Sequence, residues 1–214
     1  MNVVLDNLDL YIQGMRTTVV LTLASFGVAL VIGTLVASAR VSPIPPLRVA
    51  GTFFVETIRN TPLLVLIVLF FFGLTKVGIR YSPLVSAIIV LGIYTSTFVA
   101  ETLRSGINAV ATGQAEAARS LGLTFPQVMG IVVLPQAFRT VVAPLGSVFI
   151  ALIKNSSLAS VIAVKDLTFQ ADSLANSTAR PAAIFLGAAV GYLVLALPSG
   201  WLIGRIERRV AIKR

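Results

Sequence analysis

Neither cysteine nor histidine occurs among the 214 residues. Without cysteine there are no disulfides and no thiolate metal sites. Without histidine the commonest metal ligand and general base is gone as well. Charge is scarce, with 12% of residues Asp, Glu, Lys or Arg, where a soluble domain carries about 25%. No internal repeat, low-complexity tract or self-sufficient hydrophilic segment is visible, and no Gly-x4-Gly-Lys-Ser/Thr phosphate loop occurs. A cleavable leader is not expected either. Asp6 and Asp9 stand where its basic n-region would be, and the next apolar run is too long.

What fills the sequence instead is hydrocarbon. Apolar residues make up 57% of the chain, and the mean hydropathy is +0.95. A chain this short cannot hide so much apolar surface in one aqueous core, so lipid must cover it. The pattern predicts an all-α polytopic transmembrane bundle, one domain over 1–214. Five spans are expected, at about 15–39, 47–74, 83–104, 132–153 and 181–206. Ser42-Pro43-Ile44-Pro45-Pro46 ends the first, because stacked prolines lack donors and fix φ. The second is interrupted by Glu56 to Pro62, and a break in the fourth is expected near Pro144.

The formal charge of +9 does not call for nucleic acid, because the basic residues fall between apolar runs and in the tail. An outside N-terminus puts ten of them (Arg40, Arg48, Arg104, Arg119, Arg139, Arg205, Arg208, Arg209, Lys213 and Arg214) at the cytoplasmic side. Five lie outside, namely Arg16, Lys76, Arg80, Lys165 and Arg180. The expected topology is therefore N-out and C-in.

Between the third and fourth spans lies a cytoplasmic loop, about 111–126. Gln114 to Leu121 is rich in helix formers, and Gly122 is placed to stop them. Thr124 is a natural N-cap for a second helix, with Pro126 in its first turn. Ala115, Ala117 and Ala118 leave a low-relief surface for a partner groove, flanked by Glu116 and Arg119.

Glu116-Ala117-Ala118, Gly122 three residues on, and Val132-Val133-Leu134-Pro135 after nine more resemble the signature loop of ABC importer permeases. Val132 stands where that family usually has Ile. The resemblance narrows toward the polar amino-acid branch through Glu56 to Leu64, Phe98 to Ile107 and Lys154-Asn155-Ser156-Ser157-Leu158. It implies a type I importer permease of a bacterial plasma (inner) membrane. In this family the loop is a coupling helix, so Gln114, Glu116, Ala117, Ala118, Arg119, Leu121 and Gly122 are the expected contacts with a separate ATPase subunit. That subunit would use ATP and Mg2+, and this chain would bind no cofactor of its own. The other implied partners are a second permease subunit, an extracytoplasmic amino-acid-binding protein and the bilayer.

Charges at membrane depth cost about 2.5–3.5 kcal/mol each by insertion scales, so they face partners or a pathway. Glu56 with Arg59 and Glu101 with Arg104 are each three apart, close enough to pair. Together with Arg139 they are the expected gating network. Arg59, Asn60, Thr61, Tyr94, Thr95, Thr97, Lys154, Asn155, Ser156 and Ser157 are the candidate substrate path, although small-residue helix packing explains the serines equally well. Two other functions stay open at this level: an ion-coupled secondary transporter, and a membrane anchor that only recruits an ATPase.

Overall fold

The structure is a computed structural model and describes residues 2–210, so Lys213 and Arg214 of the expected basic tail lie outside the described residues. A short α1 (Asn2–Leu5) precedes the long α2 (Leu8–Val41). Proline decides where α2 stops. Ser42 is extended, as a residue before proline must be, and its N–H still reaches the Ala39 carbonyl. Pro45 and Pro46 then open α3 (Pro45–Arg59), where a missing N–H costs nothing.

The second segment differs from the expected single span over 47–74. It is two helices, α3 and α4 (Leu63–Lys76), bent by 97° at Asn60-Thr61-Pro62. Pro62 offers no donor to the preceding turn and pushes Thr61 out of the helical region. The Thr61 hydroxyl turns back to the Thr57 carbonyl at 2.9 Å. Among the described residues four helices are long and apolar enough to cross a membrane, or five crossings if the bent pair counts as one.

The centre of the bundle is α2 against α5 (Pro83–Asn108). The two run parallel and come close because glycine sits at both crossings. A methyl added at Gly33 would meet Val99 Cγ1 at 2.6 Å, and one at Gly92 would meet Val28 Cγ1 at 2.6 Å. Small residues at the contact are how helices associate where hydrophobicity supplies no preference. Thr22, Ser25, Ser96 and Thr97 are buried along the same seam.

After α5 come α6 (Thr112–Ser120), α7 (Phe125–Gln127), a π-helical turn (Val128–Val133) and α8 (Leu134–Asn155). A 3-10 turn (Ser156–Ile162) extends α8, so one helical run covers Phe125–Ile162. The break expected at Pro144 is absent, and the helix passes through it. The chain then returns through α9 (Leu167–Thr178) and α10 (Pro181–Val210). Arg40 at the end of α2 meets Glu101 near the end of α5, which puts those two ends on one side. By the basic-residue count that side is cytoplasmic.

Candidate functional site

The loop after α5 is built by local rules. α6 ends in left-handed Gly122, with φ +83°. The Gly122 N–H donates to the Arg119 carbonyl at 2.9 Å and the Leu123 N–H to the Ala118 carbonyl at 3.3 Å. This double closure satisfies carbonyls that would otherwise be orphaned and leaves a fixed corner. Thr124 then starts the next helix, its N–H and hydroxyl both donating to Gln127 Oε1 at 2.9 Å. Eleven residues after Thr124, Pro135 withholds a backbone donor, and beside it the Gln136 side-chain amide donates to the Val132 carbonyl at 2.9 Å.

Packing decides which face of α6 is free. Ala118, 5% exposed, sits on Val128 and Val133, with Ala115, Ile107 and Leu123 around it. The expected alanine surface is thus corrected, because Ala118 and half-buried Ala115 point into the chain's own loop core. Gln114, Glu116, Ala117, Arg119, Leu121 and Gly122 are exposed. Leu121 is 84% exposed and Phe125 is 62% exposed, side by side at the corner. A leucine and a phenylalanine held outward at this corner leave an exposed apolar patch there.

At the cytoplasmic end of the bundle, Glu101 accepts from Arg40 on α2 and from Arg104 one turn on. Among the described residues no other ion pair forms, which corrects two expectations. Glu56 and Arg59 do not bridge, because both lie exposed where α3 approaches its bend. Arg139 does not join the network. Arg40 takes that place, its stem so close to α3 that a methyl on Gly51 would meet Arg40 Cγ at 2.8 Å.

Further out, α5 and α8 enclose a cavity of about 240 Å³ that gathers Tyr94, Thr95, Phe98, Ser147 and Asn155. The Arg59 guanidinium lies 4.9 Å from the Phe98 ring centroid, and Tyr94 tilts against Phe98 at 5.3 Å. Arg59, Tyr94, Thr95 and Asn155 of the expected path are therefore brought together. The others are not. Thr97 is buried, with its hydroxyl on the Tyr94 carbonyl at 2.7 Å. Ser156 and Ser157 turn back to Ile153 and Lys154, each at 2.7 Å. Asn60 and Thr61 form the bend, and Lys154 is exposed.

One cluster was not expected. Asp166 has no exposed surface and caps α9, its Oδ1 accepting the Phe169 N–H at 2.9 Å. Tyr192 of α10 donates to its Oδ2 at 3.3 Å, and Thr168 and Tyr192 share a hydrogen bond at 2.8 Å. The Leu167 N–H reaches the Thr18 hydroxyl of α2 at 3.2 Å. Three helices are tied at the outer end. Burial pushes the Asp166 carboxyl up to about 6, against the opposing pull of the Phe169 N–H and the Tyr192 hydroxyl. The available signal was its position as an N-cap, Asp before Leu-Thr-Phe-Gln.

Membrane-crossing helices around a buried polar seam, with an exposed apolar corner at one end, make a multi-pass membrane protein. The chain belongs to the family of binding-protein-dependent transport system inner membrane components, the ABC importer permeases, whose model matches residues 29–212. It is 39% identical over 209 residues to the probable glutamine ABC transporter permease protein GlnM of Bacillus subtilis (strain 168), covering 98% of this chain and 97% of that one. The glutamate transport system permease protein GluC of Corynebacterium glutamicum is 40% identical over 210 residues, covering 92% of each. Among solved structures, an amino acid ABC transporter with histidines matches at TM-score 0.91 and 36% identity, covering 96% of each chain. The inward-facing methionine transporter MetNI matches at TM-score 0.80 and 23% identity, over 95% of this chain and 97% of that one. The fold is that of a type I ABC importer permease.

Proposed function

We propose that this chain forms half of the membrane path of a polar amino-acid importer, glutamate or glutamine before basic amino acids, and is driven by a separate ATPase docked at α6. The outward corner of Leu121 and Phe125, held by the Gly122 closure, carries this reading. Glu116, Ala117 and Arg119 complete the contact surface. ATP and Mg2+ belong to the ATPase, since the chain has no phosphate loop of its own. An external binding protein delivers the substrate, and closure of the ATPase pair rocks the helices to open the path outward. Hydrolysis resets it.

Five crossings are too few to enclose a path, so a second permease subunit, identical or related, completes it. The cavity between α5 and α8 supports the substrate class. Tyr94, Thr95, Ser147 and Asn155 supply neutral hydrogen-bonding groups, and Arg59 beside Phe98 suits a carboxylate or its amide. The names of the similar permeases support the same choice. Glu101 with Arg40 and Arg104 acts as a clamp between α2 and α5, close to where α5 hands over to the docking loop.

Glu116→Lys reverses the one carboxylate on the exposed face of α6. In the assembled transporter it should abolish labelled glutamine or glutamate uptake and substrate-stimulated ATP hydrolysis, with the bundle still inserted. Normal coupled uptake by that variant would sink the proposal.

A further inference from the structure

A second groove lies on the opposite flank of α8, between α2, α8 and α10, and its volume is about 420 Å³. Its walls are apolar, including Phe26, Leu30, Phe149, Leu202, Ile203 and Ile206. Leu202 and Ile206 are exposed along it. The groove runs on α8 from Phe138 to Phe149, a rise of about 16 Å along the helix. That is about half of a hydrocarbon core roughly 30 Å thick, and hence one leaflet. Phe138 and Ile206 mark its cytoplasmic end.

The mouth is basic. Arg139 follows Phe138 on α8, and Arg209 lies one turn beyond Ile206 on the stripe of α10 that forms the wall. Both are exposed, and among the described residues neither is in an ion pair. Arg205 is held over the Trp201 ring on another face of α10, 3.8 Å from its centroid, which leaves Arg139 and Arg209 at the mouth. Glu207 is the one acid within this stretch of α10. An apolar trough one leaflet deep with guanidiniums at its rim matches one amphiphile in both halves. Arginine forks suit a phosphodiester, and basic pockets between helices on the cytoplasmic side select anionic headgroups.

We propose that the groove is a binding site for an anionic phospholipid of the inner leaflet. One acyl chain lies between α8 and α10, and the phosphate rests between Arg139 and Arg209. The lipid would brace α10 against α8, the helix that continues into the docking loop.

The test uses the assembled transporter in nanodiscs, with phosphatidylglycerol carrying a photoactivatable acyl chain as the probe. Label is expected in the peptides covering 138–149 and 199–206. Unlabelled phosphatidylglycerol should compete, while phosphatidylcholine and free glycerol phosphate should not. Arg139→Gln and Arg209→Gln should each weaken labelling roughly five-fold. Val142→Trp should block the trough with the charge unchanged, and substrate-stimulated ATPase activity verifies that each variant is assembled. Equal competition by phosphatidylcholine, or unchanged labelling in both the arginine variants and Val142→Trp, overturns the proposal. So does a disulfide between two copies through cysteines placed at Phe138 or Leu202, because it would show a second subunit in the groove.

Discussion

Asp166 holds its place in the outer knot at the expense of its own ionisation. Its carboxyl titrates at about 6 in the folded chain and near 3.9 when unfolded. The folded form therefore takes up a proton as pH falls through 6, while the unfolded form waits until about 4. Stability from this group rises on acidification across that window, and at pH 7.5 the charged form costs up to about 3 kcal/mol. Asp166→Asn keeps an oxygen for the Phe169 N–H and removes the charge. Its melting temperature should exceed that of the unmodified chain at pH 7.5, and the gap should shrink toward pH 5. A pH-independent gap would mean the carboxylate is not the cause. Residues of this kind are hard to read from sequence. Asp166 caps a helix, which local rules can find, but its partner Tyr192 lies 26 positions away, and Thr18, which holds the neighbouring Leu167 N–H, lies 149 positions from that residue. Arg40 was similarly legible only as a charge at the end of a span. Its pairing with Glu101 depends on α2 lying parallel to α5.

At the level of elements, punctuation was legible and direction was not. Pro45, Gly122, Thr124 and Pro126 start or stop helices by local stereochemistry, and α6 ends at its glycine. The interruption at Pro62 is equally plain in the sequence. Its 97° angle is not, because proline frees the backbone and packing on both sides sets where it goes. Nor could composition show that Ala118 faces inward, since α6 chooses its face by resting on the π turn. The corner at Gly122 offers a direct test. Gly122→Val puts a β-branched residue at φ +83°, with open space around it and strain in the backbone alone. It should cost about 1–2 kcal/mol locally. Faster amide exchange at Leu123 and weaker ATPase attachment should appear, with the spans unaffected. Unchanged exchange would show that the corner tolerates another turn.

For the molecule as a whole, the bundle depends on the seam between α2 and α5. Gly33→Leu would drive a branched side chain into Val99 and the Ser96 carbonyl, where even a methyl lacks room. Overpacking of this sort costs about 1–3 kcal/mol or more. Lower yield and a lower melting temperature of the detergent-solubilised chain are expected, whereas Gly27→Leu, with nothing near its added methyl, should behave as the parent. Equal behaviour of the two would remove the seam from its central position. The π turn at Val128–Val133 has a different consequence, concerning phase. It gives that turn a wider winding than the α-helix on either side. Deleting Gly130 would let the run close as plain α-helix with its phase nearly kept, because the wide turn absorbs one extra residue. A residue removed from α8 before Ser147 would instead rotate the docking corner against the cavity by roughly 100°. Either Leu121 and Phe125 would swing off their bearing, or Ser147 and Asn155 would turn out of the cavity. The length of α8 between the π turn and the cavity is thus an angular setting, and single-residue insertions or deletions there should be far less tolerated than in the π turn itself or in the segment joining α4 to α5.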